Sequence, residues 1–283
     1  MTNEELKALI DGVEPMFKAR SSEVYDIGDD KVLKLYFDDV DADNLEIEYK
    51  NTCTAFELGC TPMECYGKYN IDGRLGLVFK KLQGIALTDA PTSLSPAFLF
   101  KGGRIIAELH AMVHEKHAPE LRDVRTVAVE TIEKNPEIFA FLSAEDRKKA
   151  EDYIMALPEA DNLIHLDFHT DNILVDGDNN QVIDWMTACK GSPLAEVAMM
   201  NFLFHDAELF PGSSKLKIFL LGTIRVFIYN GYMKNYTKLT GIKEEDSAPW
   251  NIVAYVLRLG LWNIASEKEF LSGKIADAVK EIK

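Results

Sequence analysis

The chain has 283 residues, 47% apolar and 27% charged, the balance of a globular protein and not of a disordered one. Lys and Arg number 31 against 46 Asp and Glu, a net charge of −15 that excludes nucleic acid or an anionic membrane as the main partner, because both require a basic face. This length accommodates one two-lobed protein or two modest domains, with a core that needs no disulfides or metals. The four cysteines (Cys53, Cys60, Cys65 and Cys189) lack paired zinc spacing and read as free thiols of a reducing compartment.

The N-terminus, Met1–Ile10, is charged and helical and has no signal-peptide core. Strands are expected at Glu23–Ile27 and Lys31–Phe37, around the turn Gly28-Asp29-Asp30. A helix over Asp43–Leu58 follows from the spacing of Leu45, Tyr49, Thr52 and Phe56, with Gly59 as its stop. Two more strands, Met63–Tyr69 and Arg74–Leu82, flank the turn at Asn70–Gly73. After Gly84 the character changes. Pro91–Pro96 reads as a loop, and helices are expected over Ala97–His114, Val124–Ala140 and Ala144–Leu157, the last capped by Ser143. Asn162–Trp185 is a strand-rich interruption. Beyond it helices are expected over Pro193–Asp206, Ser214–Leu239, Ser247–Ala265 and Lys268–Ile282. The apolar stretch Phe219–Tyr229 is cut by Arg225 and is too short to span a bilayer, so a cytoplasmic protein without membrane contact is expected. The expected fold class is α+β. Residues 1–82 form a small antiparallel lobe. Residues 83–283 form a helical lobe that includes a loop at 163–172 and a hairpin at 173–185.

Chemistry concentrates in Leu163-Ile164-His165-Leu166-Asp167-Phe168-His169-Thr170-Asp171-Asn172, followed by a hairpin and Ile183-Asp184-Trp185. Phosphoryl transfer needs a carboxylate for the acceptor's proton, oxygen ligands for a divalent cation and a cation for the phosphates. Asp167 can be the carboxylate. Asn172 supplies a neutral oxygen, and the hairpin can return Asp184 beside it. His165 can brace the loop through its imidazole.

This segment resembles the catalytic core of the aminoglycoside phosphotransferase and choline kinase-like superfamily, which has the protein-kinase-like two-lobed fold. Those proteins carry His-Gly-Asp-x4-Asn-Ile-Leu and then Ile-Asp-Trp or Ile-Asp-Phe. His165, Asp167, Asn172 and Asp184 match, and Leu166 replaces the usual Gly. The resemblance implies that Asp167 is the catalytic base and that Asn172 and Asp184 bind Mg2+. Gly191–Ala198 is similar to the family's Gly-Asp-Pro-x-x-Asp-Leu-Ala, from which Ser192 and Glu196 depart. In that frame Lys34 is the phosphate-binding lysine, since its same-face neighbours Val32 and Tyr36 are apolar. Counting eleven back from Gly59, as in the family helix, selects Glu48 as its ion partner, with Glu46 as second choice. Val78–Gly84 resembles the family hinge, so Phe79, Lys80, Lys81 and Leu82 are expected at the nucleotide base. The phosphate-covering turn falls at Arg20–Glu23, where Ser21 and Ser22 are the candidate donors in place of glycines.

The implied reaction is transfer of the γ-phosphate of ATP (or GTP), with Mg2+, to a hydroxyl of a small molecule of aminoglycoside, choline or metabolite type. Asp161–Gly212 holds nine acidic residues and one basic residue, Lys190. That field suits an amine-bearing acceptor and equally a solvated acidic surface. A protein kinase is the first alternative, opposed by Phe168-His169 after Asp167 and by the lack of Ala-Pro-Glu after Asp184. A non-catalytic nucleotide-binding scaffold is the second, opposed by the intact Lys34, Asp167, Asn172 and Asp184. His110, His114 and His117 share a helical face, but without the His-Glu-x-x-His pattern they read as packing residues.

Overall fold

A computed structural model of the protein describes residues 1–19, 21–37, 40–89, 96–208 and 215–282. Most of the Pro91–Pro96 loop, and Arg20 of the phosphate-covering turn, lie outside the described residues. The chain divides into two compact units, Met1–Leu87 with Asp171–Thr187, and Thr88–Thr170 with Ala188–Lys283. The hairpin expected with the helical lobe therefore groups with the N-terminal unit.

The chain begins with helix α1 (Asn3–Ile10), closed by a reciprocal capping box between Thr2 and Glu5. Strands β1 (Phe17–Lys18), β2 (Ser22–Gly28) and β3 (Lys31–Tyr36) follow, then helix α2 (Ala42–Glu57) and strands β4 (Cys65–Ile71), β5 (Arg74–Lys80) and β6 (Ile85–Ala86). The first five strands make an antiparallel sheet in the order β1-β2-β3-β5-β4. Period-two alternation gives this sheet two apolar faces. Leu33, Leu35, Tyr25, Ile27 and Val78 pack with Leu6 of α1. Tyr36, Leu77 and Phe79 pack with Leu45 of α2. α2 is capped by Asp41 and followed by Gly59 at φ +73°, the left-handed stop expected there.

In the second unit the chain forms α3 (Pro96–His114), α4 (Val124–Lys134), α5 (Ala144–Ala156) and β7 (Asn162–Ile164). α4 ends earlier than expected. Asn135 precedes Pro136, which disfavours helical geometry before it and supplies no N–H. The chain returns to the first unit as β8 (Ile173–Asp176) and β9 (Asn179–Val182), and β6 pairs on the other side of β8. It finishes in the second unit with β10 (Cys189–Gly191), which pairs with β7, and helices α6 (Pro193–His205), α7 (Lys215–Thr240), α8 (Asn251–Leu257) and α9 (Lys268–Glu281).

The continuous helix expected over Ser247–Ala265 is broken into three pieces. A 3-10 segment, Glu244–Trp250, contains Pro249. α8 follows, and then a π-helical turn, Arg258–Trp262, stops at Asn263 with φ +44°. Trp250 is buried, as its packing role requires. None of the four cysteines forms a disulfide among the described residues. No helix among the described residues is long and apolar enough to cross a membrane.

Candidate active site

In the first unit four of the expected residues come together. Lys34 sits between Val32 and Tyr36 on the α2-covered face of the sheet. Its Nζ donates to Glu48 Oε1 at 2.7 Å and lies 3.4 Å from Asp184 Oδ1. The Glu48 side chain is 2% exposed and that of Lys34 15%. Burial alone would lower the lysine's pKa, but the charges of Asp184 and Glu48 more than reverse this and raise it. Burial raises the Glu48 carboxyl, and the lysine beside it pulls the other way. Tyr36 Oη also donates to Glu48, on Oε2. Glu46, the second choice, instead makes a surface pair with Lys68.

The hairpin does what its turn implies. Ile173 pairs with Val182, and the Ile183 amide donates to the Asn172 carbonyl at 3.0 Å, so the residues flanking the hairpin are adjacent. Asp184 has φ +62°. Its segment is held by Asn51 of α2, whose Nδ2 donates to the carbonyls of Trp185 and Met186 at 3.1 Å each. Thr61 Oγ1 donates to the Val182 carbonyl at 2.7 Å. Neither Asn51 nor Thr61 was singled out by sequence. Asn51 lies one turn after Glu48, on the same face of α2. An amide oxygen and a carboxylate are hard donors. They suit Mg2+, which takes one or two protein ligands and completes its shell with phosphate oxygens and water.

Hydrogen bonds and burial place the residues expected at the nucleotide. The Lys80 amide donates to Glu64 O at 2.8 Å and the Lys81 amide to Asp30 O at 2.7 Å, so neither is available as a donor to a base. Phe79 is a buried strand residue paired with Val32 and Cys65. Lys81 also forms an ion pair with Asp26. Ser22 opens β2 fully buried, which removes its side chain from a phosphate-covering surface. Ser21, half-buried in the turn, keeps that position.

In the second unit, His165 is fully buried, and its Nδ1 accepts from the Asp167 amide at 3.3 Å. Asp167 is 17% exposed, and its Oδ2 lies 3.4 Å from His169 Nε2. Leu166, at the family's glycine position, has φ +67° while its side chain is buried. A left-handed leucine is strained by about 1–2 kcal/mol and needs an anchor. The anchor is Glu196 of α6. Its Oε1 accepts from the Leu166 amide at 2.6 Å and its Oε2 from the His165 amide at 2.8 Å. Ser192, the other departure from the family pattern, caps α6 through the Leu194 amide.

His114 Nε2 lies 2.9 Å from Glu196 Oε2. His110 Nε2 lies 3.2 Å from the same oxygen, off the line of a hydrogen bond. Burial pushes the Glu196 carboxyl up, and the two histidines reverse this and hold it well below the usual range. Burial, with His114 next, brings His110 down to about 4. The ligand atoms of His110, His114 and Glu196 lie within 4.8 Å of one another, but the glutamate oxygens are already taken up by loop amides and His114. His117 stands apart, on Asp161 at 2.7 Å.

The model of the phosphotransferase enzyme family matches residues 19–211. At the level of sequence alone, no curated protein is similar enough to match. Among solved structures, a thermostable mutant of aminoglycoside phosphotransferase APH(4)-Ia in its apo form is similar with a TM-score of 0.62 and 15% identity, covering 99% of this chain and 98% of that one. An amicoumacin kinase in complex with AMP-PNP, Ca2+ and Ami is similar with a TM-score of 0.55 and 11% identity, over 95% of this chain and 87% of that one. A choline/ethanolamine kinase family protein from Mesorhizobium loti gives 0.54 and 14%, over 99% and 95%. The fold is the protein-kinase-like one expected.

Proposed function

This chain belongs to the phosphotransferase enzyme family, whose members act on hydroxyl groups, and we propose that it moves the γ-phosphate of ATP or GTP onto a hydroxyl of a small molecule of aminoglycoside, choline or metabolite type in the cytoplasm. The observation that carries this reading is Lys34, a half-buried lysine kept charged and directed between Glu48 and Asp184. A lysine held in this way draws the α- and β-phosphates. Asn172 and Asp184 would hold Mg2+, which when bound neutralises phosphate charge. Asp167 takes the acceptor's hydroxyl proton as the oxygen–phosphorus bond forms and the nucleoside diphosphate leaves. His165 and Glu196 fix the backbone on either side of Leu166, so Asp167 is oriented before substrate arrives. Most of the rate then comes from positioning and charge, each preorganised group contributing about 3 kcal/mol.

The nucleotide in the similar amicoumacin kinase structure supports a nucleotide donor. The test is nucleoside diphosphate release from ATP and from GTP with Mg2+, against amino sugars, amino alcohols and plain sugars, with Asp167→Ala as control. Acceptor-dependent release lost in the variant is the expected result. Tight nucleotide binding with no release for any acceptor would replace the enzyme with a nucleotide-binding scaffold.

A further inference from the structure

The histidines that hold Glu196 are themselves held, and by a different helix. His114 Nδ1 lies 2.6 Å from Tyr236 Oη, and His110 Nδ1 lies 2.7 Å from Tyr232 Oη. The pairs are matched in spacing, His110 and His114 one turn apart on α3, Tyr232 and Tyr236 one turn apart on α7. All four residues are buried, both tyrosines at 0% exposure. A helix crossing that needed only apolar packing would carry phenylalanine, because a buried hydroxyl destabilises unless it is hydrogen-bonded.

Close approach of the two helices has a visible cause. A Cβ on Gly103 of α3 would lie 2.7 Å from the Ile228 carbonyl oxygen and the Tyr232 amide nitrogen of α7. Glycine lets the backbones touch, and the tyrosines reach the histidines about two and three turns further along α3.

The hydrogen bonds have a direction. Glu196 is ionised, so it only accepts, and the proton between it and His114 belongs to His114 Nε2. With that single proton on Nε2, Nδ1 is the acceptor and Tyr236 Oη, 2.6 Å away, the donor. A hydroxyl on Nδ1 thus keeps the proton on Nε2, facing the carboxylate. Without it the ring can place its proton on Nδ1 and turn a lone pair toward Glu196. His110 Nε2 makes no hydrogen bond to Glu196, so its ring is placed by Tyr232 Oη on Nδ1 and by stacking on Phe168, with centroids 4.6 Å apart. Glu196 in turn holds the amides of His165 and strained Leu166, next to Asp167.

We propose that Tyr232 and Tyr236 are positioning residues for phosphotransfer, acting through His110, His114 and Glu196 to hold the backbone that carries Asp167. The proposal rests on the reading of Asp167 as the base. The test uses the full chain with Tyr232→Phe, Tyr236→Phe and the double variant, each losing only a hydroxyl. Turnover, nucleotide KM, melting temperature and hydrogen exchange of the His165 and Leu166 amides are measured together. The double variant is expected to lose roughly tenfold to a hundredfold in kcat, with nucleotide KM unchanged and both amides exchanging faster. A role in packing alone would lower the melting temperature and leave kcat and loop exchange at wild-type values, which would overturn the proposal. Nitrogen NMR of wild-type histidines needs no variant. Finding His110 and His114 as Nδ1–H tautomers would overturn it as well. If the wild type turned over no acceptor, the phosphotransfer reading would fail, while the exchange of the two amides would still decide the coupling.

Discussion

Lys34 Nζ lies 3.4 Å from the carboxylate of Asp184, 150 residues away in sequence, and the same ammonium is bound by Glu48 at 2.7 Å. One cation therefore links the sheet, α2 and the segment after the hairpin. The lysine and Mg2+ would both be drawn to Asp184, so removing that carboxylate should abolish Mg2+-dependent nucleotide binding. Glu48→Gln leaves Asp184 to keep Lys34 charged but no longer aims it. We predict loss of roughly tenfold to a hundredfold in kcat/KM for Glu48→Gln with the fold retained. Calorimetric titration of nucleotide with and without Mg2+ checks both. Full Mg2+-dependent binding by Asp184→Ala would refute the ligand assignment.

Asp167 is tied to the loop by its amide, on His165, and leaves its carboxylate near His169. Asp167→Asn keeps size and loop bonding but cannot take a proton. It should bind nucleotide like the wild type and turn over about 10²–10⁴-fold more slowly. Wild-type turnover by this variant would remove Asp167 from the role of base.

Leu166 offers a test in which a usual ranking reverses. At φ +67° a Cβ is strained, while glycine is not. Leu166→Ala loses the buried side chain and keeps the strain, whereas Leu166→Gly loses both. The glycine variant should be the more stable of the two by about 1 kcal/mol, contrary to the order at ordinary positions. Denaturant unfolding of both variants measures it, and alanine being equal or better would mean the loop does not hold this geometry.

These residues differ in how far the sequence revealed them. Strand period singled out Lys34 and a tight hairpin put Asp184 beside Asn172, whereas Glu48 was selected by the family's spacing back from Gly59. Glu196 was visible only as a departure from the family's aspartate. Its work lies in two backbone amides about 30 residues earlier, which no pattern encodes. Asn51 was invisible for the same reason, its partners being carbonyls 134 and 135 residues on. The spacing of His110, His114 and His117 identified a shared face but not its tyrosine partners, each 122 residues away. Sequence could not show that the Glu64 and Asp30 carbonyls take up the amides of Lys80 and Lys81 in the expected hinge.

The buried cluster makes stability depend on acid. His110 is neutral in the fold down to about pH 4, against an ordinary value of 6.5. Between these values the unfolded chain binds the proton and the folded one does not, so stability falls as pH drops from 6.5 towards 4, by about 1.4 kcal/mol per unit for this group. Glu196 has a depressed pKa. Its contribution is complete above its unfolded value of 4.5 and is lost below it. The groups facing His110 are His114, His165, Glu196 and Tyr232. His110→Gln should flatten the profile between pH 4 and 6.5, and Glu196→Gln the part below 4.5. A His110→Gln profile parallel to the wild type would mean that another group carries the slope.

Two glycines inside helices should respond in opposite directions to the same substitution. Alanine ordinarily stabilises a helix by about 0.5–1 kcal/mol over glycine. Gly273, exposed in α9, has no atom within 4 Å of where a Cβ would stand, so Gly273→Ala should gain that amount. At Gly103 the same methyl would meet α7 backbone atoms at 2.7 Å, and backbone cannot step aside as a flexible side chain can. Gly103→Ala should therefore lose stability, by roughly 1–3 kcal/mol as overpacking does. By separating α3 from α7 it should also lengthen the bonds from Tyr232 and Tyr236 to the histidines. Paired urea titrations give the two signs. Stabilisation at both positions would mean that α3 and α7 do not touch at Gly103, and the source of the histidine–tyrosine alignment would have to be sought elsewhere on the two helices.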